Sequence, residues 1–397
     1  MTATSAPDTL KQHRQNFPSL ANKAYFNFGG QGPMPRMALD AIYKAYEYAQ
    51  NQGPFSGQVK NWLMQESALT REALARELGT RAANITLTEN VTVGCNIALW
   101  GIDWQEGDRI LITDCEHPGV IGAVKEIARR FKVKVTTCPI AATLNRGNPA
   151  VVIEQHLHPD TRLFIASHLL WNTGQVLPLE EIVEICRNYQ SNRPLQILVD
   201  AAQSVGCLPL NLDELGVDFY AFTGHKWMCG PAGVGGLYVR KEARETLNPT
   251  FIGWRGVVVD TSTGMPTDWH SDGRKFEVAT SAYQQYVGLR AALAVHHKWG
   301  DAEMRYEKIR QNGQYLWQGL SILPNINCVR NSPPEAGIVS FQFKENIGHK
   351  QLVQALEQQG FFLRTIASPD CIRACVHYFT QPSEMDQLIK VLEGLRS

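Results

Sequence analysis

The chain has 397 residues, 44% hydrophobic and 19% charged, and its 38 Lys and Arg balance 38 Asp and Glu. That length suits two to three domains, and the hydrophobic share excludes disordered and fibrous classes. Zero net charge gives no field to recruit nucleic acid or an acidic membrane, and the low charged fraction points to surface buried in a core or against a partner.

From about residue 85, short apolar runs alternate with helical patterns, the signature of βαβ units around a mostly parallel sheet. Thr88–Thr92 (TENVT) precedes a helical pattern running through Trp100. Arg109–Thr113 (RILIT) reads as a strand, and after a Pro-Gly break Val120–Phe131 has helical spacing. Val133–Ile140, Leu163–Ser167, Gln196–Val199 and Val217–Phe222 read as further strands, with an amphipathic helix at Glu180–Tyr189. Val234–Arg240 closes the series as an antiparallel strand after a glycine turn. Trp254–Asp272 is expected to be a loop, and Ser281–Trp299 a long helix bridging two units. Ile338–Lys344, Phe361–Arg364 and Ile372–His377 then supply strands of a second sheet, with helices at Gln351–Gln359 and Glu384–Leu395. The expected architecture is α/β, with a large domain at 20–265 and a smaller α+β domain at 266–397 on which residues 1–19 pack.

No uncharged apolar run approaches the ~18 residues of a membrane span, and the first residues lack the apolar stretch of a secretory leader, so a cytoplasmic protein is expected. The nine cysteines are scattered without a C-x-x-C pair, which reads as buried thiols in a reducing compartment. No metal spacing stands out. His156 and His158, and the adjacent His296 and His297, read as surface histidines.

The chemical signal is concentrated in residues 196–240. An apolar strand ends in Asp200, with Gln203 three residues on, and the next strand delivers Thr223, Gly224, His225 and Lys226 to the same sheet edge. In a parallel sheet that edge opens into the ligand crevice. The run GPAGVGG precedes a strand, whereas a dinucleotide fingerprint must open a helix, so the glycines serve a close turn around the lysine. A lysine beside a strand-end aspartate suits pyridoxal phosphate (PLP): the amine holds the aldehyde and the carboxylate keeps the ring nitrogen protonated.

The run D-A-A-Q-S…F-T-G-H-K…G-P-x-G-x-G-x-L-Y-V resembles the class V aminotransferase group of fold-type I PLP enzymes, which includes cysteine desulfurases and C–S lyases. The resemblance implies that Val91 and Thr92, at a helix N-terminus suited to phosphate, bind the cofactor with Thr223 and His225. It implies that His117 stacks over the cofactor ring; Pro118 follows where many relatives carry a second histidine. Asn172 and Gln203 match residues near the phenolic oxygen. Phe276–Thr280 resembles F-E-x-G-T, with Ala279 in place of glycine. There Thr280 reaches the phosphate of a neighbouring subunit, implying a homodimer with shared sites. Arg373 matches an arginine that forks the substrate carboxylate and Arg364 a second arginine position, with Trp254 shaping the substrate pocket.

Cysteine desulfurases carry a nucleophilic cysteine on a mobile loop between those two arginine positions. Here the intervening segment is short and lacks that motif, so Cys371 and Cys375 read as structural thiols. The expected reaction is therefore β-elimination of L-cystine (or L-cysteine) to pyruvate, ammonia and a persulfide or sulfide. Its sulfur would be available to an acceptor protein in iron–sulfur cluster assembly. The alternatives are a cysteine or selenocysteine desulfurase releasing alanine, another class V reaction such as transamination or epimerisation, and a non-catalytic scaffold.

Overall fold

In the computed structural model residues 10–344 and 348–395 are described; residues 1–9 of the segment expected to pack on the C-terminal unit lie outside them. A seven-stranded sheet runs in the order Ile85–Thr88, Gly235–Val239, Phe219–Thr223, Gln196–Asp200, Thr161–Ser167, Arg109–Thr113, Lys134–Cys138. All pairings are parallel except the two made by Gly235–Val239, which is antiparallel as expected. The central strands read as continuous apolar runs because both faces are covered. Side chains alternate between those faces. Ile110, Ile112, Leu163, Ile165 and Leu198 pack under the helices Val91–Gly101 and Pro118–Phe131. Leu111, Phe164, Ala166, Ile197 and Val199 face a core shared with Leu179–Asn188 and the first half of Tyr283–Trp299.

The second sheet is antiparallel, ordered Ile326–Cys328, Ile338–Phe343, Asp370–Cys375, Arg364–Ala367. The helices Ala302–Ser321, His349–Gln358 and Pro382–Gly394 cover it. Ala24–Tyr25 pairs in parallel with Phe361–Phe362, which draws residues 27–32 toward the interface of the two sheets. Among the described residues no helix is long and apolar enough to cross a membrane, and no cluster of metal-ligating side chains exists.

Three expectations are corrected, and one helix is added. The segment Trp254–Asp272 is not all loop: the β-branched run Val257–Val259 pairs with Pro266–Trp269. Its turn closes because the Asp260 carboxylate accepts the N–H groups of Ser262 and Thr263. The strand expected at Phe361–Arg364 is two pieces: Phe361–Phe362 pairs with the N-terminal segment, and a separate strand begins at Arg364. A twenty-residue helix, Ala302–Ser321, follows Gly300, capped by Asp301, whose carboxylate accepts the Met304 N–H. His296 is not a surface histidine: it is 3% exposed, whereas His297 is exposed and pairs with Glu77.

Candidate active site

Asp200 closes the strand Gln196–Asp200, 5% exposed, between Ser167 and Ala221 of the adjacent strands. Its Oδ1 accepts the Ala202 N–H at 2.9 Å. Burial pushes the Asp200 pKa up; that hydrogen bond and the charges of Lys226 and His117 oppose the rise. The next strand ends in Thr223, whose Oγ1 lies 2.6 Å from His225 Nδ1. Lys226 follows, partly buried. Burial pushes its amine down to about 8, against the raising field of Asp200 and with added lowering by Arg373 and Arg364.

A helix N-terminus meets this edge. Asn90 caps Val91–Gly101 by accepting the Val93 N–H at 3.1 Å, leaving the remaining first-turn amides free for a ligand. Gly235 shows how close the pieces are: a Cβ there would stand 3.0 Å from the Asn90 Cα and 3.1 Å from the Thr223 Cα. The helix start bearing Val91 and Thr92 thus adjoins Thr223 and His225. Thr92 is also near Gly119, at the start of the helix that follows His117.

His117 caps that helix, its Nδ1 accepting the Gly119 N–H at 3.1 Å. Pro118 takes the first helical position, where a missing N–H costs nothing. The His117 ring lies edge-on to Trp171, centroids 5.5 Å apart. Burial lowers its pKa, Asp200 raises it, and Lys226 and Arg373 lower it further. Behind it, Glu116 is buried and accepts from Thr113, from the Ser167 N–H and from the Ser167 hydroxyl, tying two strand ends together. Asn172 donates to the Ser368 carbonyl at 3.0 Å, while its buried Oδ1 has no partner. Gln203 donates to the Gly29 carbonyl and accepts the Trp227 indole N–H, both at 2.9 Å.

Arg373 is 3% exposed and donates to the Trp171 carbonyl at 2.8 Å, with Asn27 Oδ1 at 3.4 Å and its Nε without a partner. Arg364 is exposed and stands directly opposite Arg373 across the antiparallel pair. Among the described residues no carboxylate pairs with either guanidinium, and like charges directly opposite are unfavourable without an anion between them. The strands carrying them join through Ser368 and Pro369 alone, since Ala367 already pairs with Asp370. Cys371 is fully buried in that hairpin, its thiol pushed up to about 12 by burial, and every other cysteine is buried as well.

Two residues lie apart from this cluster. Thr280 is exposed and caps no helix: Ala282 stands at the N-cap of Tyr283–Trp299 without a side-chain cap. Trp254 is exposed on the same surface, where Gly253 packs against the Val278 carbonyl. Glu277 fixes this segment. It is buried between Arg71 and Arg255 and accepts the Leu87 N–H at 3.1 Å.

The sequence reading missed the segment Asn27–Gly32. A Cβ on Gly29 would meet Gln203 Oε1 at 2.9 Å and Arg373 Cζ at 3.0 Å, and one on Gly32 would collide with the Lys226 carbonyl at 2.2 Å. The glycine cluster N-F-G-G-Q-G was the available signal. Asn90 and Trp171, beside residues already singled out, were missed as well.

Solved structures and curated proteins resemble the chain over nearly its whole length. The cystine C–S lyase C-DES, in complex with its reaction product cysteine persulfide, is 53% identical with a TM-score of 0.94, covering 95% of this chain and 99% of its own. A lysine-to-alanine variant of C-DES with glycine covalently linked to the PLP cofactor is 52% identical with a TM-score of 0.95, covering 98% and 100%. Isopenicillin N epimerase of Streptomyces clavuligerus is 31% identical over 394 residues, 95% of each chain. A probable cysteine desulfurase of Methanothermobacter thermautotrophicus is 25% identical over 96% of this chain and 97% of its own. The family described as Aminotransferase class-V matches residues 24–388, and the chain belongs to that family.

Proposed function

We propose that the chain is a PLP-dependent carbon–sulfur lyase that cleaves L-cystine by β-elimination, consuming one water and giving pyruvate, ammonia and cysteine persulfide. The observation that carries this reading is the hairpin at Ser368–Pro369: it sets two unpaired arginines opposite each other and leaves no mobile cysteine between them. Cystine bears two carboxylates, and a lyase needs no protein thiol to receive sulfur.

The residues fit the cofactor. The N-terminus of Val91–Gly101, Thr92, Thr223 and His225, brought together by the close approach of backbone at Gly235, offer donors suited to a phosphate ester. Asp200 would serve as the anion for a protonated ring nitrogen, His117 would lie over the ring, and Asn172 and Gln203 would stand near the phenolic oxygen, Gln203 with one amide hydrogen to spare. Lys226 is the covalent anchor. When bound, PLP supplies an aldehyde that links to amines and a ring that withdraws electrons, acidifying Cα and letting a β-sulfur depart.

Lys226, in its neutral form, would take the substrate Cα proton as general base. Its free amine titrates at about 8, so the working neutral form grows as pH rises through that value. The rate of the proton-abstraction step is expected to climb on a limb centred near pH 8; a rate flat from about pH 7 to 9 would contradict this assignment. Arg373 forks one substrate carboxylate and Arg364 holds the other. Arg373→Ala is expected to raise the KM for cystine roughly 30- to 100-fold while PLP affinity stays near that of the parent enzyme. Parallel titrations with cystine and with PLP check the split.

Phe251 and Val278 line a cleft with Thr280, and with the exposed Ile252 and Trp254 in the same segment they form an apolar surface that suits a second copy of the chain. In that homodimer Thr280 reaches the partner's phosphate and Trp254 borders the partner's substrate pocket. The released persulfide serves an acceptor protein, with iron–sulfur assembly as its use, and the enzyme works in the cytoplasm. The reading is tested by incubating purified holoenzyme with cystine and with cysteine and assaying pyruvate against alanine. Pyruvate in step with ammonia supports elimination; alanine would replace it with a desulfurase.

A further inference from the structure

Lys226 opens a turn in which the Cys229 N–H reaches back to the Lys226 carbonyl at 3.0 Å and Cys229 adopts a left-handed φ of 51°. Side chains from distant parts of the chain hold this turn. His377 Nε2 lies 2.9 Å from the Trp227 carbonyl and His296 Nε2 2.9 Å from the Met228 carbonyl. A carbonyl only accepts, so both rings carry their hydrogen on Nε2. His377 Nδ1 then accepts the Tyr378 N–H at 3.0 Å. His296 Nδ1 accepts the Tyr378 hydroxyl at 2.8 Å, and that oxygen is left to accept from His13 Nε2 at 2.7 Å. A one-way chain therefore runs from the N-terminal helix Leu10–Arg14 through Tyr378 and His296 to the residue two beyond Lys226.

The rings are packed as well as bonded. His377 stacks between Trp227 and His296, with centroids 5.7 and 5.6 Å away. Both histidines are almost fully buried, and burial lowers both pKa values, that of His377 to about 3. Arg305, whose charge lowers both further, is engaged by Glu77. Neutral imidazoles are thus the working form, each with one fixed donor.

We propose that His296 and His377 are positioning residues for Lys226: paired neutral imidazoles whose Nε2 hydrogens clamp the two carbonyls after it and aim its amine into the crevice. This rests on the reading of Lys226 given above. The test compares holoenzyme of the parent protein with His296→Leu, His377→Leu, His296→Gln, His377→Gln and Tyr378→Phe. Glutamine retains an amide donor where leucine has none. The leucine substitutions are expected to lower kcat about tenfold or more with KM for cystine within about twofold. They should also shift the pH midpoint of the visible cofactor absorbance by about half a unit or more, and the glutamine substitutions should restore most of both. Leucine variants that keep the parental kcat and midpoint overturn the proposal, as do glutamine variants impaired as much as leucine ones. Should the leucine variants not fold, Tyr378→Phe decides, since it keeps both rings but removes the hydroxyl whose hydrogen bond to Nδ1 holds the His296 ring with its Nε2 toward the Met228 carbonyl; an unshifted midpoint overturns the proposal. Failure of the Lys226 reading shows separately, as parent holoenzyme that borohydride leaves unlabelled at that residue.

Discussion

Lys226→Ala is expected to reduce cystine turnover by at least about 10⁴-fold, because one side chain serves both as anchor and as general base. Burial and two nearby arginines hold this amine near 8, within reach of its neutral form at physiological pH; an ordinary exposed lysine would stay charged. Removing it takes a cation away from the neighbourhood of Arg373 and Arg364 and breaks no hydrogen bond found in the structure, so the fold should survive. The donors around Gly235 and the carboxylate of Asp200 remain, so some PLP is retained without covalent attachment. Pyruvate release measures the loss, and thermal unfolding checks the fold. Activity within about tenfold of the parent would take Lys226 out of its role.

Asp200→Ala carries the second-largest expected effect, a loss of roughly 10²–10³-fold, the scale for removing one preorganised electrostatic partner from a buried site. Asp200 is buried at a strand end, where burial favours its neutral form and the opposing cations favour the carboxylate. A protonated cofactor ring adds one more such cation. The substitution has a second, signed consequence. Asp200 is the main group raising the Lys226 pKa, so without it the amine titrates lower and the rising limb of the pH–rate profile moves to more acid pH. A slow variant whose limb stays near pH 8 would show that the carboxylate does not face the amine.

The legible parts of this chain were those whose meaning is local. Arg109–Thr113 was bounded correctly because a fully covered strand is a continuous apolar run with a sharp end. Asp200, Thr223, His225 and Lys226 could be placed on one edge because two successive parallel strands put them there. Other features depend on contacts between segments remote in sequence. Asn27–Gly32 has no periodicity of its own, and it reaches Arg373 and Lys226 only because Ala24–Tyr25 adds to Phe361–Phe362. His296 and His297 are indistinguishable as letters, yet one turns inward beneath the Lys226 turn and the other out to Glu77. The opposition of Arg364 and Arg373 likewise required the strand register, although both residues had been singled out.

The central claim is a covalent bond between PLP and one particular amine. Borohydride reduction of the purified holoenzyme, followed by proteolysis and mass mapping, tests it most directly. A pyridoxyl group on the peptide containing Lys226 is the predicted result; a reduced adduct on a different lysine, or none, would contradict it.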